Sequence, residues 1–391
     1  MEEKIIPDFD IPVNRSNTDA EKLDSRERIF GNGKVQPLWV ADMDLPSPPF
    51  LQSALIERID HPCFGYTEQS DELKNAVQWW MQNEHNLSIN TDCILFSPSV
   101  VTTFNNAIEA FTKQGDGIAL FSPVYGPFYF AIENHNQKLV DIPLLLKNDQ
   151  YIIDFDKFEI KCAAGDIKLL LFCNPQNPSG RVWKKEELYQ LVAIGNAYNV
   201  KIVSDEIHSD IIYPGSTHTS ILEINGADRN SLVAHSTGKT FNTSGLNASF
   251  VLIPNNNMKE QYEKTAEQSH TNDINLLGKV AIKTLFSKNG QFYKKALITY
   301  LADNQIMLLD RLNRFYGIKP MIAESTFLSW INFNGTGLSH VELMNKLVNN
   351  AGLGLGGGLF YGPSGNGWFR LNFAVAKSEL EKALDKIENT F

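Results

Sequence analysis

The sequence predicts an α/β fold, a mostly parallel sheet covered by helices, with a smaller α+β domain beside it. Three observations predict it. Between about residues 93 and 253, seven short apolar runs alternate with longer amphipathic ones, the pattern of strands buried between helices. Beyond about residue 280 the alternation gives way to long helical stretches. The 391 residues also exceed what one hydrophobic core supports, so a large and a small domain are expected. The division reads as an N-terminal segment, 1–45, belonging to the small domain, a large domain, 46–285, and the rest of the small domain, 286–391.

The first 45 residues are polar and then proline-rich. They contain Trp39-Val40-Ala41-Asp42-Met43-Asp44, an apolar run broken by two aspartates and followed by Pro46, Pro48 and Pro49, which reads as an extended crossing between domains. Residues 49–86 are helical in pattern, interrupted by Pro62-Cys63-Phe64-Gly65-Tyr66-Thr67, where Tyr66 is either a packed loop residue or part of a site. Strands are then expected at 93–96, 117–121, 138–142, 168–172, 201–203, 232–235 and 250–253, with helices at 102–113, 127–134 and 185–198. A long helix over 291–316 and a strand over 326–331 follow, and Ser339-His340-Val341-Glu342 has capping-box spacing. Gly352-Leu353-Gly354-Leu355-Gly356-Gly357 matches a dinucleotide fingerprint by letter, but it follows a helix instead of a strand. It reads as a helix C-cap and flexible loop.

Composition excludes several functions. Apolar residues at 43% and charged residues at 20% belong to an ordinary folded protein. A formal net charge of −10 argues against nucleic acid or an anionic membrane as the main partner. Cys63, Cys93, Cys162 and Cys173 form no C-x-x-C pair, and the eight histidines show no metal-ligand spacing, so neither a structural metal nor a disulfide framework is expected. The start, Met1 to Pro7, lacks the basic and apolar regions of a secretory leader, and a reducing, cytoplasmic setting is expected.

In parallel sheets of this kind, ligands sit at the carboxyl ends of the strands, and polar groups collect there in this sequence. Ser99, Val100, Val101 and Thr102 open a helix whose free N–H groups suit a phosphate, although an N-cap alone explains them equally well. Tyr125 offers an aromatic face or is a packed turn tyrosine, and Asn174, before Pro175, offers a positioned amide or simply forms a turn. Asp205 is a carboxylate that needs a cation or donor. Ser236-Thr237-Gly238-Lys239-Thr240-Phe241-Asn242 follows the strand at 232–235; seen alone it is a solvated turn, but an amine held there in a partly dry crevice titrates nearer neutrality and forms a Schiff base with a carbonyl. Amine, carboxylate, amide, aromatic face and phosphate-binding turn are together the requirements of pyridoxal 5'-phosphate.

With these motifs, and with Asn174-Pro175-Gln176-Asn177-Pro178-Ser179-Gly180, Ser204-Asp205-Glu206-Ile207-His208 and Phe369-Arg370-Leu371-Asn372, the whole chain resembles the fold-type-I pyridoxal-phosphate enzymes of the aspartate aminotransferase superfamily. Within them it is similar to the bacterial C–S lyase, or cystathionine β-lyase, branch that includes a modulator of the maltose regulon. The resemblance implies Lys239 as the Schiff-base lysine and catalytic base, Asp205 as partner of the pyridine nitrogen, Asn174 as donor to the phenolic oxygen and Tyr125 as the stacking ring. Ser99, Val100, Val101, Thr102 and Ser236 would hold the phosphate, His208 would also lie against the cofactor, and Tyr66, a catalytic candidate with Lys239, would reach the phosphate of a second subunit in a homodimer. Arg370 would grip the carboxylate of an amino-acid substrate, beside Val40, Ala41 and Asn174. Two departures from many transaminases stand out: His208 where a tyrosine is usual, which agrees with the lyase branch, and Asn247 where an arginine reaches the phosphate. The reaction implied is β-elimination from an S-substituted cysteine such as cystathionine. Transamination and a regulatory protein-binding role remain the alternatives.

Overall fold

The computed structural model describes residues 6–391. The start of the chain, on which the expectation of no secretory leader rests, therefore lies largely outside the described residues. A seven-stranded sheet forms from β1 (Ile94–Ser97), β2 (Gly117–Leu120), β3 (Lys138–Asp141), β4 (Leu169–Cys173), β5 (Lys201–Asp205), β6 (Ser231–Ser236) and β7 (Ser249–Leu252), in the order β1-β7-β6-β5-β4-β2-β3. Only β7 runs against the others, pairing antiparallel with β1 and β6. Every residue of β2, β4, β6 and β7 is buried, as strands covered on both faces require. Each fully buried Leu or Val among them contributes about 1.5–3 kcal/mol of transfer free energy.

Helices, marked by apolar residues recurring at near four, flank and separate these continuously apolar strands. They include α1 (Pro49–Asp60), α2 (Asp71–His85), α3 (Val100–Phe111), α4 (Pro127–Asn134), α5 (Lys185–Ala197) and, farther on, the long α6 (Lys288–Leu312). Phe104, Ile108, Phe128 and Tyr262 belong to the core on one side of the sheet. Trp80, Phe158, Leu188 and Leu191 lie in the larger core on the other, which continues into the C-terminal part of the chain.

There a four-stranded antiparallel sheet forms from β8 (Lys319–Pro320), β9 (Leu328–Asn332), β10 (Gly356–Gly357) and β11 (Trp368–Asn372), in the order β8-β9-β11-β10. Ser339 caps α7 (His340–Asn345) in a capping box with Glu342, as its spacing predicts. The glycine-rich run departs from expectation. Gly352, at φ +65°, does turn the chain after the helix, but Leu353–Gly354 pairs with Gln36–Pro37 and Gly356–Gly357 forms β10 against Phe369 and Arg370. Its missing side chains allow close strand pairing, and a flexible loop is not what results. Among the described residues no helix is long and apolar enough to cross a membrane.

Candidate active site

A cavity of about 730 Å³ opens where the carboxyl ends of the large sheet's strands meet the 39–41 segment and β11. Lys239 lies just past β6, half-buried, and its Nζ donates to the Ala41 carbonyl at 2.5 Å. Burial, reinforced by the Arg370 charge and opposed by Asp42 and Asp205, lowers its pKa to about 8. Asp205 ends β5 and is 4% exposed. Burial raises its carboxyl to about 7 even though the Ile207 amide donates to it at 3.2 Å and Lys239 is near. The ring of His208 lines the same wall, and desolvation followed by the Lys239 and Arg370 charges keeps it neutral.

Arg370, on β11, closes the other side. Its Nη2 donates to the Trp39 carbonyl at 2.7 Å, its Nη1 to Asn177 Oδ1 at 3.0 Å, and its guanidinium lies over the Tyr361 ring at 5.0 Å. Val40 and Ala41 line the cavity beside it, and the Val40 carbonyl is held by Asn372 Nδ2 at 2.7 Å. Asp42 and Asp44, next along the segment, form ion pairs with Arg15 and the buried Lys22. Asn242, in the lysine turn, clasps Met43 through its N–H at 3.0 Å and its carbonyl at 2.8 Å.

Tyr125 lines the cavity, its hydroxyl pushed up to about 12 by burial and then by the Asp205 charge. Ser99 caps α3, accepting from the Thr102 amide at 3.0 Å, and lines the cavity with Val100 and Val101. Ser236 also faces it, with Oγ donating to the Ala248 carbonyl at 2.8 Å and accepting the Gly238 amide at 2.9 Å. Asn247, the departure noted in the sequence, lies on the same wall.

Two residues expected at the cavity lie elsewhere, and Tyr66, expected to serve a second subunit, lies outside it. Asn174 is fully buried behind the cavity, its Nδ2 donating to Glu206 Oε1 at 3.3 Å and the Thr219 carbonyl at 3.1 Å. The amide that reaches the cavity belongs to Asn177, three residues on, and it was not singled out from sequence. Thr102 does not line the cavity either: its hydroxyl meets Ser99 Oγ at 2.9 Å within the cap. Tyr66 is fully exposed in the 61–70 coil and outside the cavity of its own chain.

Sequence reading also missed a buried polar group under the lysine turn. Asp210 Oδ1 accepts from the Trp80 indole at 2.9 Å and meets His85 Nε2 at 2.8 Å, while Oδ2 accepts from the Thr240 hydroxyl at 2.6 Å. Ligand-type atoms of His85, Asp210 and His235 fall within 4.8 Å of one another, although no metal-ligand spacing marks them in the sequence. The carboxylate's oxygens already take donors from Trp80 and Thr240, which makes this a hydrogen-bonded network holding the turn that follows Lys239.

A doubly covered, mostly parallel sheet with a lysine and a carboxylate at its strand ends, faced by an arginine from the smaller sheet, is the setting of one class: residues 40–387 match the model of the aminotransferase class I and II family, and the chain belongs to it. More particularly, it is 36% identical over 386 residues to cystathionine beta-lyase PatB of Bacillus subtilis, covering 97% of this chain and 98% of that one. It is 28% identical to protein MalY of Escherichia coli, over 98% of both chains. Among solved structures, cystalysin from Treponema denticola, which contains a pyridoxal 5'-phosphate cofactor, superposes with a TM-score of 0.94 at 32% identity over 98% of both chains.

Proposed function

We propose that the protein is a pyridoxal-phosphate-dependent carbon–sulfur β-lyase that converts L-cystathionine or related S-substituted cysteines to a thiol, pyruvate and ammonia. The observation that carries this is the half-buried Lys239 amine, brought to about 8, in one cavity with the Arg370 fork. The full-length similarity to a cystathionine beta-lyase and to cystalysin supports elimination over transamination.

The residues fit the cofactor. Asp205 is raised to about 7 because it is buried without a full countercharge, which a protonated ring nitrogen supplies. The first-turn amides of α3 at Val100 and Val101, with Ser99 and Ser236 beside them, suit the phosphate. Asn177, Tyr125 and Lys239 line the cavity, and would respectively donate to the phenolic oxygen, stack on the ring and bond the aldehyde carbon. Bound there, pyridoxal phosphate supplies an electron sink for the pair left when the substrate's α-proton is removed.

The chain's own groups do the rest. Arg370, fixed by Asn177 and the Trp39 carbonyl, grips the substrate α-carboxylate as a planar fork and so sets which bond faces Lys239. The Lys239 amine, near neutrality in its basicity, takes the α-proton. The C–S bond then breaks with its electron pair leaving on sulfur as thiolate. Hydrolysis of the remaining three-carbon enamine yields pyruvate and ammonia.

A homodimer with shared sites is part of the proposal, supported by the full exposure of Tyr66 and the large exposure of the nearby Phe64. So is the division into domains at about residues 45 and 285, supported by the two separate sheets. A cytoplasmic setting is supported by four unpaired cysteines. Incubation with L-cystathionine should release pyruvate and free thiol continuously, and Lys239→Ala should lose both the activity and the absorbance of lysine-bound cofactor. Stoichiometric conversion of the cofactor to its amine form without free thiol would overturn the lyase assignment in favour of transamination.

A further inference from the structure

We propose that the cavity selects substrates whose sulfur carries an apolar group, S-alkyl or S-aryl cysteines, over those whose sulfur carries a second charged amino-acid end. This rests on the β-lyase reading and specifies its substrate class.

Every such substrate shares its cysteine half, which Arg370 and Lys239 engage. What differs is the group beyond sulfur, and the rest of the cavity must receive it. Phe30, Trp39, Met344, Val348, Leu355 and Phe360 form most of that remaining wall. The apolar surface begins where the carboxylate grip ends. The Trp39 carbonyl is one of Arg370's two acceptors, while its indole meets Phe30 edge-on at 6.0 Å. Leu355 precedes Gly356, which pairs with Arg370 in the sheet, and Val348 and Leu355 are buried.

The charges on the wall point the same way. A distal amino-acid end, as in cystathionine, brings a carboxylate that needs a cation or several donors once it leaves water. Among the described residues, Lys239 and Arg370 are the only lysine and arginine on the wall, and both serve the near end. His208 is held neutral by burial. Arg15 and Lys22, the cations of the adjoining N-terminal segment, are already paired with Asp42 and Asp44. The remaining charged wall residue outside the catalytic end is Glu21, which offers a distal carboxylate no countercharge.

Pyruvate release by the cofactor-loaded enzyme from S-benzyl-L-cysteine and from L-cystathionine tests the proposal. The expected kcat/KM ratio is at least about tenfold in favour of S-benzyl-L-cysteine, the discrimination that apolar pockets ordinarily provide. Met344→Lys, which puts a cation on the apolar wall, should narrow the ratio roughly threefold or more. Binding is read separately from the cofactor's absorbance with L-homophenylalanine and L-2-aminoadipate, which carry no sulfur to eliminate; homophenylalanine should bind tighter. Equal or better use of cystathionine, with 2-aminoadipate bound as tightly as homophenylalanine, would overturn the proposal and leave the lyase reading intact. Preference for homophenylalanine without pyruvate from either sulfur substrate would instead overturn the lyase reading and uphold the apolar pocket.

Discussion

Asn174 and Asn177 each precede a proline, and nothing in their immediate sequence ranks them. The strand decides. Cys173 is the last residue of β4, paired with Asp205, and the Asn174 amide still bonds the Asp205 carbonyl at 2.9 Å, so its side chain stays under the sheet edge while Asn177 emerges. Asn177→Ala should raise KM for the amino-acid substrate about tenfold by freeing Arg370, a loss near 1.4 kcal/mol, with little change in stability. Asn174→Ala should instead lower unfolding free energy by about 1–3 kcal/mol, because Glu206 and the Thr219 carbonyl lose a buried donor. Steady-state kinetics and urea unfolding of the pair separate these roles. Asp205 titrates in the opposite sense to a salt-bridged aspartate. Its folded carboxyl is raised from 3.8 to about 7, so the stability it contributes to the apoprotein is present below 3.8 and is lost as pH rises towards 7. The difference in unfolding free energy between wild type and Asp205→Asn apoproteins should therefore fall with pH across that window, by at most about 1.4 kcal/mol per unit. A flat difference would show that the carboxyl is not raised.

The turn carrying Lys239 is held from two sides by groups far away in sequence. Asn242 binds both faces of Met43, fixing the 39–45 segment that presents the Ala41 and Val40 carbonyls. Thr240 reaches Asp210, which α2 also grips through Trp80 and His85. Burial should raise the Asp210 carboxyl, yet those hydrogen bonds and the nearby His235 and Lys294 hold it well below the usual carboxylate range. Thr240→Val removes one hydrogen bond to a buried anion at nearly constant volume and should cost about 1.5–3 kcal/mol in urea unfolding. Asp210→Ala strands the indole and imidazole without an acceptor and should cost more, about 3–5 kcal/mol. Rescue of Thr240→Val by Thr240→Ser would identify the hydroxyl, not the packing, as the cause. The strand and helix pattern behind these elements was legible from apolar period alone, since the strands are short, fully buried and separated by amphipathic runs. The network was not legible, because His85, Asp210, His235 and Thr240 share no local spacing.

Across the molecule, the N-terminal segment, the large sheet and β11 supply different parts of one cavity, and the dimer proposed would add Tyr66 from a second chain. Mixing Lys239→Ala with Tyr66→Ala subunits tests that directly. Each variant alone should be nearly inactive, while a randomly reassorted mixture should recover roughly a quarter of wild-type activity, since half the dimers then carry one intact site. No recovery on mixing, with subunit exchange shown by mass, would place Tyr66 outside a shared site. What the sequence determined by itself was the α/β sheet, the order of its strands along the chain, and the placing of Lys239 and Asp205 at strand ends, because strand pattern and strand-end chemistry are local; Arg370, in the middle of β11, was marked only by the family resemblance. What only the tertiary structure decided was which asparagine faces the cavity, how the glycine-rich run becomes an edge strand, and why the wall beyond Arg370 is apolar. Each of those depends on side-chain direction and on contacts between residues hundreds of positions apart, and neither is written in spacing.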